Sequence, residues 1–155
     1  MKLLFLFLPF LAFGQFQPKT FLFTSVEVDI RNALVGSDVN EAAIDGVFNV
    51  GFRDQNFQIQ ASYENFKAID FYSFGIKAGY VFNADRRFNY LLLGGISWIQ
   101  RNTALLNKLN VSVSLNGQAE YHLNPVFLLA RFEGRYRGDI KKIIPAVYAG
   151  IGVKF

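Results

Sequence analysis

The chain contains no cysteine, so it can form neither a disulfide framework nor a lipid anchor on an N-terminal cysteine. It has a single histidine, which excludes a multi-histidine metal centre, and nothing in the sequence calls for a cofactor. Although 52% of residues are hydrophobic, the run of roughly 18–20 apolar residues that a membrane-spanning helix requires is missing. The formal net charge is only +4, and the basic residues are scattered among phenylalanines through strand-like segments. That is not the clustered basic footprint of a nucleic-acid binder, so no nucleic-acid partner is expected.

What is present is alternation. In Leu109–Leu123, LNVSVSLNGQAEYHL, the odd positions are Leu, Val, Val, Leu, Gly, Ala, Tyr and Leu, and the even ones Asn, Ser, Ser, Asn, Gln, Glu and His. Successive side chains of a strand point to opposite faces, so this run has one apolar and one polar face. It exceeds the usual soluble strand of about five or six residues. It suits a tilted strand crossing a bilayer, which needs about 9–11.

The same element recurs along the chain. Strands are predicted at 20–31, 46–53, 57–64, 72–82, 88–100, 109–123, 126–137 and 144–155. Short connections at 54–56, 83–87 and 123–125 alternate with generally longer ones at 32–45, 65–70, 101–108 and 138–143. Bacterial outer-membrane barrels show this asymmetry, with tight periplasmic turns and longer external loops. The fold class implied is all-β, an eight-stranded antiparallel up-and-down transmembrane β-barrel forming one domain. Eight strands leave an interior just wide enough for side chains. The apolar set is too bulky for that space, whereas the polar set includes Gly51, Gly75, Gly79, Gly95, Gly150 and Gly152. The apolar face is therefore expected outside.

The N-terminus reads as a signal peptide over residues 1–14. Met1-Lys2 is followed by the apolar run Leu3–Phe13, and Ala12-Phe13-Gly14 offers small residues at the −3 and −1 positions. The barrel domain then covers 15–155. At the other end, VYAGIGVKF places Val147, Ala149, Ile151, Val153 and the terminal Phe155 at alternate positions. This resembles the C-terminal assembly signal read by the barrel-insertion machinery of the outer membrane. Together with the leader, the absence of cysteine and eight strands, the chain resembles small outer-membrane proteins of the OmpA-barrel/OmpX class. The AFGQ cleavage region is similar to those of Bacteroidetes. The resemblance implies a location in the outer membrane of a Gram-negative bacterium, with membrane lipid and the assembly machinery as partners.

The inward set carries charge. A lumen network is expected from Glu27, Asp29, Lys77, Glu120, Arg131, Glu133, Arg135 and Arg137, because charges enclosed in a narrow space must pair to offset desolvation. Arg31, Arg53, Glu64 and Lys154 belong to the same inward phase. Hairpin register across Asn124-Pro125 sets Gln118 opposite Arg131 and Asn116 opposite Glu133, with Glu120 diagonal to Arg131. Val81, Leu91, Leu93, Phe127 and Leu129 break the alternation on the inward side. They are expected to form an apolar plug in the periplasmic half, below the charged layer. The function expected first is a structural or accessory barrel with a plugged lumen and no catalysis. A narrow pore lined by Arg131, Arg135 and Arg137 is the alternative. A lipid-modifying enzyme comes last: His122-Leu123-Asn124-Pro125 does not match the His-x-Ser-Asn pattern of the lipid A deacylases, and His122 falls at the periplasmic end.

Overall fold

The computed structural model describes residues 20–35, 44–101 and 110–155. The predicted signal peptide lies outside these residues. Eight strands form one closed barrel in sequence order: β1 Thr20–Asp29, β2 Gly46–Asp54, β3 Phe57–Phe66, β4 Phe71–Phe82, β5 Phe88–Arg101, β6 Asn110–His122, β7 Val126–Arg137 and β8 Lys142–Lys154. Every neighbouring pair is antiparallel. Closure comes from β1 against β8, where Phe23 faces Lys154 and Asp29 faces Tyr148. Pairing first and last strands removes both sheet edges, so no row of backbone donors is left unsatisfied.

The predicted strand bounds match to within a few residues except after β1. Residues 30 and 31 were expected to continue that strand, with Arg31 facing inward. Instead Ile30–Val35 forms a short helix, α1. Its cause is local: the Asp29 carboxylate accepts hydrogen bonds from the backbone N–H of Arg31 at 2.8 Å and of Asn32 at 3.2 Å. A side-chain acceptor at this position turns an extended chain into a helical one. Arg31 is accordingly exposed rather than part of the lumen.

The connections β2–β3, β4–β5 and β6–β7 lie at one rim, the turn end, together with Thr20 and Phe155. The remaining connections lie at the other rim, the loop end. Apolar side chains cover the outer surface: Leu115 is 61% exposed, Phe132 57% and Ile96 54%. Asp54, at the turn end, is the one charged residue in the outward phase of the strands. The apolar-out expectation therefore holds. Aromatics gather on the outside of the turn end, with Tyr80 edge-on to Phe82 and Phe88 edge-on to Tyr90, both at 4.9 Å between centroids.

Candidate lumen network

Inward polar side chains link into one hydrogen-bonded chain that runs the length of the lumen. At the turn end His122 Nε2 lies 2.8 Å from Glu120 Oε2. Arg53 Nη2 donates to both Glu120 oxygens at 2.8 and 2.6 Å, and Arg53 Nε donates to Gln58 Oε1 at 2.8 Å. Gln58 then donates to Gln60 Oε1 at 2.7 Å, and Gln60 to Asn49 Oδ1 at 3.2 Å. Asn49 donates to Glu27 Oε1 at 2.6 Å, and Arg131 Nε donates to Glu27 Oε2 at 2.7 Å. Arg131 also donates to Glu133, which Arg135 joins from the other side. Arg135 Nη1 reaches Glu64 Oε2 at 2.5 Å, and the Tyr148 hydroxyl donates to Glu64 Oε1 at 3.3 Å near the loop end.

The middle of this chain is charge-matched. Glu27, Glu64 and Glu133 face Lys77, Arg131 and Arg135, with Lys77 Nζ 3.6 Å from Glu133. Arg131 is the most tightly held: Glu27 and Glu133 take its charge, Asn116 Oδ1 accepts at 2.9 Å, and its guanidinium lies 4.1 Å over the Tyr148 ring. A buried charge keeps its ionised form at tolerable cost only with such close pairing, although Arg131 Nη2 has no hydrogen-bond partner among the described residues. Beside Lys77 and Glu133 there is a void of about 10 Å³, on the order of one water at most.

Of the eight residues expected in the network, Glu27, Lys77, Arg131, Glu133 and Arg135 come together in this cluster. The register that joins them has Asn116 opposite Glu133 and Gln118 opposite Arg131. The other three lie elsewhere. Glu120 turns from its diagonal neighbour Arg131 to Arg53, on the far side of the lumen. Asp29 caps α1. Arg137 pairs with Asp139 in the β7–β8 connection and stacks 4.6 Å over Phe71.

The expected plug residues are all buried but fall into two groups. Val81, Leu91 and Leu93 pack as one cluster. Phe127 and Leu129 pack with Phe21 and Phe23 as another. Phe21 and Phe23 had no place in the sequence reading. Phe23 and its neighbour Phe127 occupy space left by glycine: a Cβ on Gly51 would lie 2.4 Å from Phe23 Cζ, and one on Gly152 would lie 2.1 Å from Phe127 Cζ. The layers also interpenetrate, since Arg53 and Lys154 sit over the Phe21 ring at 5.1 and 5.0 Å. Polar and apolar groups thus share the turn half, where a purely apolar stopper was expected. At the C-terminus Val147, Ile151, Val153 and Phe155 point outward and Ala149 is half-buried; Phe155 N donates to Leu22 O at 2.8 Å.

The loop end opens into a cavity of about 290 Å³. Its walls include Asp29, Asp45, Glu64, Phe66, Phe71 and Tyr148. Asp45 is 5% exposed, and its Oδ1 has no hydrogen-bond partner among the described residues. Burial, then the carboxylates of Glu64 and Asp29, pushes the Asp45 carboxyl up to about 8. Among the described residues no group of three or more His, Cys, Asp or Glu side chains is placed to hold a metal ion.

No protein-family model and no curated protein sequence matches this chain. Solved structures do. Neisserial surface protein A superposes with a TM-score of 0.63 at 16% identity, covering 89% of this chain and 98% of that one. The Yersinia pestis outer membrane protein Ail, solved in a phospholipid bilayer nanodisc, gives 0.59 at 14%, covering 87% and 99%. A de novo designed transmembrane β-barrel gives 0.57 at 10%, covering 91% and 99%. At these identities the likeness is one of fold.

Proposed function

We propose that this chain is a small integral outer-membrane barrel with a structural or accessory role in the envelope, its lumen closed by its own side chains. The observation that carries this reading is the pairing of opposites across the wall. Outside is a largely apolar belt whose one charged residue is Asp54, at its rim; inside is a charge-matched network running from His122 to Tyr148. An apolar surface far larger than the few hundred Å² a soluble monomer tolerates requires lipid as its solvent. A lumen whose central charges are already paired with each other offers little net charge for a passing solute to bind.

A non-catalytic role is supported by the placement of the one histidine. His122 is 2% exposed, bonded to Glu120 and stacked 5.3 Å from the Phe127 ring. It lies at the turn end, with the Arg131 cluster between it and the loop-end mouth. The alternate outward residues ending at Phe155 are the reading's candidate for the assembly signal. The test is expression of the full chain in a didermic host, followed by membrane fractionation and gel mobility with and without heating. Heat-modifiable protein in the outer-membrane fraction is expected; protein in the soluble periplasm would refute the reading.

A further inference from the structure

We propose that the loop-end cavity is a binding site for a small organic cation, a guanidinium or ammonium group carrying a short apolar tail, anchored on Asp45.

The charges around the cavity are matched with one exception. Arg137 is taken by Asp139, and Arg135 is shared between Glu64 and Glu133. That leaves Asp29 and Asp45 with the exposed Arg31. Asp29 is already satisfied by the N–H groups of α1. Asp45 is only partly so: it is 5% exposed and its carboxyl hydrogen-bonds Glu64, while Oδ1 lacks a partner among the described residues. A buried carboxylate oxygen without a donor is costly, and a ligand N–H removes that cost.

The surroundings select the class of donor. The acids are not grouped as a metal site, so a bare divalent ion is not favoured. The cavity is walled by Phe66 and by Phe71, whose ring already carries Arg137 at 4.6 Å, so Phe66 is the aromatic left for a ligand. Aromatic faces attract a guanidinium or ammonium and also accept the apolar stem behind it. The volume of about 290 Å³ is near the low end of the range for small-molecule pockets, which sets the size of the tail. A ligand bearing one positive charge balances the carboxylate that Asp45 presents once it ionises.

The position of Asp45 adds a signature. Its carboxyl is pushed up to about 8, in a cavity shared with Glu64 on β3, Asp29 on β1, Arg135 and Arg137 on β7, Arg31 on α1 and Tyr148 on β8. A cation binds the ionised form, so affinity must rise with pH until Asp45 is ionised without help. The probe is n-butylguanidinium, which stays charged throughout, titrated calorimetrically into the full-length chain folded in detergent micelles; n-butylurea is the neutral control. The cation should bind about tenfold or more tightly than the urea, with affinity rising about tenfold from pH 6 to pH 7 and levelling above 8. Asp45→Asn should bring the cation down to the urea, and micelle partitioning cancels because it is common to both proteins. Phe66→Leu, which keeps the carboxylate, should weaken binding about threefold. Equal affinity for cation and urea, a flat pH profile on the unsubstituted chain, or full binding by a folded Asp45→Asn would each overturn the proposal. The pH profile needs no substitution, so it decides the matter even if Asp45→Asn does not fold.

Discussion

Removing Arg131 is the sharpest internal test of the lumen network. Its guanidinium is wholly buried and holds Glu27 Oε2 at 2.7 Å, Asn116 Oδ1 at 2.9 Å and Glu133. In Arg131→Met the side-chain volume is nearly kept, but two buried carboxylates lose their shared cation. Glu133 retains Arg135 and Lys77, whereas Glu27 keeps only the Asn49 amide at 2.6 Å. Breaking one partner of a buried ion pair costs about 3–5 kcal/mol, and the remaining cations on Glu133 place this case near the lower end. Adding Glu27→Gln removes the orphaned charge while leaving an acceptor for Asn49. The double variant should therefore recover about 1–2 kcal/mol relative to the sum of the single costs, as coupled neighbours do. The assay is equilibrium unfolding by urea in phospholipid vesicles, followed by the fluorescence of Trp98, the sole tryptophan, which lies on the outer face. If Arg131→Met costs under about 1 kcal/mol, or the two substitutions simply add, the network is not a set of coupled charges.

Further outcomes follow from the same geometry. Leu115→Arg, midway along β6 on the outer face, should destabilise the barrel in bilayers by about 2–4 kcal/mol, measured by the same unfolding assay. Gly152→Ala should cost about 1–3 kcal/mol because its Cβ meets the Phe127 ring, and Phe127→Leu in the same chain should recover much of that. Asp45 carries its proton up to about pH 8 when folded against a reference value of 3.8. The folded state then binds more protons between those values, so stability falls as pH rises from about 4 to 8, and Asp45→Asn should flatten that slope in pH-resolved unfolding. Deleting Phe155 should leave secretion intact but lower the heat-modifiable fraction in the outer membrane on gels.

The barrel was legible because one period carries it. A residue spacing of two decides which face each side chain takes, and in β6 it does so without exception. β1 was less clear, since Phe21, Leu22 and Phe23 are apolar on both faces and periodicity cannot choose between them. The inward fit of Phe23 depends on Gly51, on β2, which no reading of one strand reveals. The network divides the same way. Pairs across one hairpin, such as Asn116 with Glu133, follow from turn register. Arg53 with Glu120 crosses the lumen between β2 and β6, and that meeting depends on the stagger of the closed barrel. Asp29 looked like one more lumen acid. Its role as the cap of α1 was hidden because six residues are too few for a helical period to show.

Closure of the lumen is what separates a structural barrel from a pore. Leu93, Phe127, Arg131 and Glu133 together leave little room for water between the rims. Single-channel recording in planar bilayers tests this directly, with the unsubstituted protein beside Leu93→Ser/Phe127→Ser. The unsubstituted barrel should show no steady current, and the double variant should conduct above that baseline. Large, steady single-channel currents from the unsubstituted protein would contradict the account and make the chain a pore.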